Sequence, residues 1–146
     1  MKFLRNQPRI LYVDSDPASA EFGRSLLRRH APGCAISVCE KAADALTLVE
    51  KRRFDLYLFE YCVGDMTGPE LCRRMMENDA RAKVIICSPL SREVYREMAI
   101  SAGAIDYLLK PDDMTRLAAA LRVHLGPLPR FRVRASYNMR RAAAIF

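Results

Sequence analysis

Glu60 closes an apolar run, Phe54-Asp55-Leu56-Tyr57-Leu58-Phe59, and a glycine-containing loop follows it. An acid at the carboxyl end of such a strand stands where an open α/β sheet keeps its chemistry. The other groups with reactive potential carry weaker signals. Cys34, Cys39, Cys62, Cys72 and Cys87 show no CxxC spacing. They read as small buried residues of a reduced protein, with neither a disulfide framework nor a zinc site expected. His30 and His124 fall near predicted helix C-termini, where the dipole favours a cation, and not in a metal-binding or catalytic pattern.

The elements that must position Glu60 are legible as an alternation. Short apolar runs at Ile10–Val13, Ala35–Cys39, Phe54–Phe59, Val84–Cys87 and Ile105–Leu109 are separated by segments of helical period. Near-continuous apolar strands belong to a parallel sheet covered on both faces. Phe22 and Leu26, Leu71 and Met75, Val94 and Met98, and Leu117 and Leu121 are each four apart, which predicts one apolar stripe per helix. Asp16-Pro17 predicts an N-cap and first helical residue, and Thr67-Gly68-Pro69-Glu70 a capping box. Ser91 and Asp112 are expected to cap the next two helices, and Gly103 and Gly126-Pro127 to end them. The expected fold is a flavodoxin-like (βα)5 doubly wound sheet of five parallel strands in the order 2-1-3-4-5, with right-handed crossovers.

At 146 residues, 51% of them apolar, the chain suits one domain and a tail. We place the domain at residues 1–126 and a basic C-terminal arm at 127–146. Of the formal +7 charge, the arm supplies +5 through Arg130, Arg132, Arg134, Arg140 and Arg141 and contains no acid. No apolar run reaches the roughly 20 residues of a membrane span. Met1–Arg9 lacks the apolar stretch of a secretory signal, so a cytoplasmic location is expected.

Four motifs, in order and at matching spacing, resemble the bacterial receiver domain over roughly residues 8–125. They are Ile10–Pro17; Phe54–Glu60 with Met66-Thr67-Gly68; Val84–Ser88; and Ala102–Pro111, which ends in Lys110-Pro111. In that family, acids after the first strand, an acceptor Asp and a backbone carbonyl hold Mg²⁺. A Lys and a Ser or Thr hydroxyl take the phosphoryl oxygens, and an aromatic on the fifth strand follows the hydroxyl inward. The resemblance assigns Lys110 to the Lys, Ser88 to the hydroxyl, Tyr107 to the switch aromatic, Asp14 to one acid and the Cys62 carbonyl to the metal.

The departures carry the functional reading. Glu60 replaces the acceptor Asp, Ser15 replaces the second acid, Gly64 stands where the loop has Pro, and Pro89 follows the hydroxyl position. Glu places its carboxylate roughly 1.5 Å farther out than Asp. Lys110 could then pair with it, and Ser88 could donate to it. A misplacement of about 1 Å can cost roughly 10²-fold in such an attack. Loss of an acid at Ser15 weakens divalent binding, leaving at most a weak Mg²⁺ site at Asp14 and Glu60. Asp16 reads as a helix cap before it reads as a ligand.

The resulting expectation is a non-enzymatic, phosphorylation-independent receiver. It would bind a protein partner or itself through the face of the fourth helix, fifth strand and fifth helix, at Arg92, Arg96, Tyr107 and Arg116. Two alternatives use other residues of the chain. One is a working two-component receiver that takes phosphate from a histidine kinase at Glu60 or at Asp65. The other is a nucleic-acid-associated protein using the arginine arm, where Phe131 and Tyr137 interleave with the cations.

Overall fold

The computed structural model describes residues 7–128. The arm arginines, Arg130 to Arg141, lie outside the described residues. The elements alternate as β1 (Arg9–Val13), α1 (Pro17–His30), β2 (Ala35–Cys39), α2 (Ala42–Lys51), β3 (Leu56–Phe59), α3 (Gly68–Asn78), β4 (Val84–Ser88), α4 (Glu93–Ser101) and β5 (Asp106–Leu109). A 3₁₀ turn (Asp112–Arg116) then leads into α5 (Leu117–Leu125). All strand pairs are parallel, in the order β2-β1-β3-β4-β5. This is the expected flavodoxin-like architecture.

Because successive strand residues point to opposite faces, each strand feeds two cores. Ile10, Tyr12, Leu56, Leu58, Ile85, Cys87 and Leu108 pack with Leu27, Leu117 and Leu121 under α1 and α5. Leu11, Val13, Tyr57, Phe59, Val84, Ile86 and Tyr107 pack with Leu71, Met75 and Ala99 under α2, α3 and α4. Truncating a fully buried Leu71 or Leu121 to Ala would cost about 2–5 kcal/mol. Leu128, two residues past the expected domain boundary, packs against the first of these cores.

The helix starts show where local rules hold. Asp16 accepts a bond from Ser19 N at 3.1 Å and caps α1. Thr67 accepts one from Glu70 N at 3.2 Å, but Glu70 turns to Arg74 and leaves the capping box half-made. Ser91 and Asp112 are not caps: Arg92 precedes α4 without a side-chain bond, and Pro111 precedes the 3₁₀ turn. Asp113 instead takes the Leu109 N–H at 2.9 Å.

Two predicted stripes are also corrected. Phe22 is 62% exposed, and Val94 and Met98 are 42% and 46% exposed. Under α1 the space belongs to Tyr12, whose ring lies against Gly23; a Cβ there would come within 2.3 Å of it. In α4 the buried contact is made by the small Ala99, with Tyr95 half-buried beside it.

Candidate functional site

The site stands at the carboxyl edge of the sheet. Continuing the alternation one step beyond the strands puts Asp14, Glu60 and Lys110 on the Tyr12 side and Ser88 on the Tyr107 side. Lys110 Nζ donates to Glu60 Oε2 at 2.9 Å and to Asp14 Oδ2 at 3.3 Å. It also lies 3.3 Å from the Tyr12 hydroxyl and 3.2 Å from Ser19 Oγ. One ammonium therefore serves two carboxylates.

Asp14 is 1% exposed, yet its oxygens are fully engaged. Oδ1 accepts from Asp16 N at 3.0 Å, and Oδ2 accepts from Tyr12 and Ser19 as well as Lys110. Burial opposes its charge. The hydrogen bonds from Ser19, Tyr12 and Asp16 N, with the Lys110 charge, outweigh burial and hold the carboxyl below its ordinary value. Burial likewise opposes the Lys110 charge, and Tyr12, Glu60 and Asp14 together raise its affinity for the proton. Burial, then the bond to Asp14, pushes the Tyr12 phenol up.

Glu60 is held from its other side by the Tyr61 N–H, which donates to Oε1 at 2.8 Å. The Tyr61 ring stacks edge-on against Tyr95 of α4 with centroids 5.0 Å apart, and its hydroxyl reaches Met98 Sδ at 3.4 Å. The loop after Glu60 returns tightly. Gly68 N donates to Tyr61 O at 2.6 Å, and a Cβ on Gly68 would sit 2.4 Å from the Glu60 carbonyl oxygen. Close backbone approach is thus the physical reason for Gly68 in the Thr67-Gly68 motif.

Ser88 does not donate to Glu60, contrary to expectation. It is fully buried, accepts from Leu90 N at 3.3 Å and stands against Tyr107. Tyr107 is 4% exposed and donates to Leu90 O at 2.7 Å, so its side chain lies beneath the expected interaction face. On that face Arg92 is exposed, and Arg96 donates to Tyr107 O at 3.3 Å. Arg116 lies 3.5 Å from Asp113 and 3.9 Å from Asp106.

The donor set does not fit a divalent cation. The Ser15 hydroxyl donates to the Cys62 carbonyl at 3.2 Å, engaging the oxygen that the resemblance gives to the metal. Lys110 bridges Asp14 and Glu60, and Asp16 caps α1. Among the described residues no group of three or more His, Cys, Asp or Glu side chains is arranged to hold a metal.

The thiols divide between buried Cys72 and Cys87, half-buried Cys34 and Cys39, and exposed Cys62. The expectation of uniformly buried cysteines fails, because Cys34 and Cys39 bracket the half-buried edge strand β2 and Cys62 lies on the site loop. Burial pushes Cys87 up to about 12 and Cys72 to about 11, so both are inert thiols at neutral pH.

Tyr12, Ser19 and Tyr61 escaped sequence reasoning. Tyr12 is two residues from Asp14, hence on its side of the strand, and that period was the available signal. Ser19 had the N-cap spacing from Asp16, but nothing in the sequence aims its hydroxyl at Asp14. Tyr61 follows Glu60 directly, and its contact with α4 is tertiary.

A five-stranded parallel sheet in this order, with acids after β1 and β3 and a Lys after β5, defines a receiver-type site. Residues 10–122 match the response regulator receiver domain family. The chain belongs to that family, whose members are the signalling modules of two-component response regulators.

The DNA-binding response regulator MtrA of Mycolicibacterium smegmatis is 32% identical over 117 residues, 80% of this chain and 50% of that protein. The chemotaxis protein CheY of Thermotoga maritima is 29% identical over 77% of this chain and 93% of its own length. The signal receiver domain of an HD domain-containing protein from Pseudomonas fluorescens superposes with a TM-score of 0.74 at 28% identity, covering 82% of this chain and 94% of that one. The chain spans about half the length of MtrA. Among the described residues no helix is long and apolar enough to cross a membrane.

Proposed function

We propose that this receiver is a phosphorylation-independent, non-enzymatic signalling module of the cytoplasm, acting through protein–protein contact. The observation that carries this reading is the single Lys110 ammonium shared by Glu60 and Asp14 at 2.9 and 3.3 Å. A carboxylate of the protein itself occupies the partner that a phosphoryl group would need, and charge-assisted bonds of this kind are the strong ones. Ser15 supports the reading by bonding the Cys62 carbonyl where an acid would have recruited a cation.

The output surface in this reading is the α4–β5–α5 face, offered to a protein partner or a second copy. Tyr107 lies inward beneath it, the position that the family resemblance associates with the signalling-competent state. Arg92, Arg96 and Arg116 supply its charge.

The test is intact-mass spectrometry after acetyl phosphate with Mg²⁺, alongside amide NMR spectra with and without beryllofluoride. Unchanged mass and spectra are expected. A stoichiometric phosphoryl adduct at Glu60 or Asp65 overturns the proposal. Glu60→Asp with Ser15→Asp is expected to restore Mg²⁺-dependent spectral changes, since hard cations depend on carboxylate count.

A further inference from the structure

The opposite pole of the sheet, where strands begin and helices end, gathers cations that the fold does not neutralise. The parallel register aligns Arg9 with Ala35, Ile10 with Leu56 and Tyr57 with Val84, so Arg9, Asp55 and Lys83 stand side by side at one edge. Arg28 and Arg29 close α1 on one side of that edge, and Arg122 lies in the last turn of α5. Lys51, Arg52 and Arg53 leave α2 on the other side. Arg81 and Lys83 share an open polar depression with Asp55 and His124, and Lys83 Nζ donates to the His124 carbonyl at 2.8 Å.

The acids at this pole, Glu50, Asp55, Glu77 and Asp79, are outnumbered by its cations and offset only part of their charge. Asp55 accepts from the Arg9 backbone N–H at 2.7 Å, and Asp79 from the Arg81 backbone N–H at 3.0 Å. Both carboxylates are thereby turned onto main chain. Glu50 and Glu77 remain exposed near the ends of α2 and α3. Among the described residues, the ion pairs within 4.0 Å involve Arg24, Arg74, Lys110 and Arg116, and none of the cations of this pole.

Helix dipoles account for Arg28, Arg29, Lys51 and Arg122 as favourable C-terminal charges. They do not account for Arg9, Arg53, Arg81 or Lys83, which begin or precede strands. Four strands at about 4.8 Å spacing make this edge roughly 15 Å wide, with helices beyond on both sides. That width suits an extended row of phosphates better than one small anion.

Of the exposed apolar residues, Val123 neighbours Arg122 at the end of α5, and Ile100 and Ile105 flank the β5 edge, while the cations at the starts of β1, β3 and β4 have no large exposed apolar side chain among them, which sets this pole apart from a lipid-binding face.

We propose that this pole is a sequence-independent binding face for the phosphate backbone of nucleic acid. The inference is separate from the reading of the Glu60 site and survives if that site accepts phosphate.

Fluorescence anisotropy of the full chain with a labelled mixed-sequence duplex of about 25 base pairs tests it across a salt series. Contact with about four phosphates predicts roughly 100-fold weaker binding at 200 mM than at 50 mM salt. The R29E/R53E/R81E variant, with circular dichroism to check its fold, is expected to bind at least about tenfold more weakly with a flatter salt slope. R74E, a charge reversal on the flank of α3, is expected to bind like the wild type. Salt-independent binding, wild-type affinity in the folded triple variant, an equal loss in R74E, or binding to phosphatidylserine vesicles but not to duplex would each overturn the proposal.

Discussion

The two poles of this sheet treat charge in opposite ways. At the carboxyl pole, Asp14, Glu60 and Lys110 satisfy one another in a network that includes Tyr12 and Ser19. At the amino pole, Arg53, Arg81 and Lys83 are exposed, while Asp55 and Asp79 bond to backbone N–H groups. Charges closed on themselves contribute to one conformation, whereas charges left in water remain available to partners. In the function proposed above, the carboxyl pole spends its charges on one another and the amino pole keeps its charges for partners.

The largest test of this contrast is Lys110→Met. It leaves Asp14 and Glu60, 2% and 13% exposed at their side chains, without their shared cation. Urea unfolding is expected to show a loss of about 3–5 kcal/mol. A loss below about 1 kcal/mol would mean that the network is not closed in solution.

The pH profile sharpens the same point. Lys110 binds its proton more tightly when folded, so its contribution is fully present below its ordinary value of 10.5 and is lost as pH rises through the raised value. Asp14 binds its proton less tightly when folded, so its contribution is present above 3.8 and is lost as pH falls through the depressed value. A thermal-unfolding profile is expected to be flat between these limits as far as this pair is concerned, and Lys110→Met should weaken the alkaline limb, leaving the part owed to the raised Tyr12, Cys72 and Cys87.

Smaller effects follow. Gly23→Ala drives a Cβ into the Tyr12 ring and is expected to cost about 1–3 kcal/mol despite the better helix propensity of Ala. A stabilised Gly23→Ala protein would show that Tyr12 can leave Asp14 freely. Ser15→Ala removes the bond to the Cys62 carbonyl and is expected to cost about 0.5 kcal/mol in urea unfolding. At the other pole, Arg53→Ala is expected to leave the urea midpoint unchanged, because nothing in the fold uses its charge. A clear shift there would erase the distinction between the poles.

Much of this was legible in the sequence because the signals were local. Ala35–Cys39 is the strand expected, Asp16 and Thr67 cap the helices that they precede, and the run of apolar segments defined a doubly wound sheet. The failures have one cause. Ser91 and Asp112 had cap chemistry, but the chain turned differently around them. Phe22, Val94 and Met98 had the period of a buried stripe, but Tyr12 filled the space under α1, and Ala99 was enough to seat α4. Periodicity says which residues share a face and not how much room the neighbouring element leaves.

Residue identity and spacing alone determined the fold class, the edge on which Asp14, Glu60, Ser88 and Lys110 gather, and the absence of a second carboxylate at Ser15. Those follow from strand and helix periods, which are properties of the backbone. Only the tertiary structure decided which oxygen meets which nitrogen. It gave Lys110 to two acids at once, turned Ser88 toward Tyr107, tied Glu60 to α4 through Tyr61, and placed the helix ends and strand starts at one basic pole. Such pairings depend on residues up to 98 positions apart, as Tyr12 and Lys110 are, and packing brings them within hydrogen-bond reach.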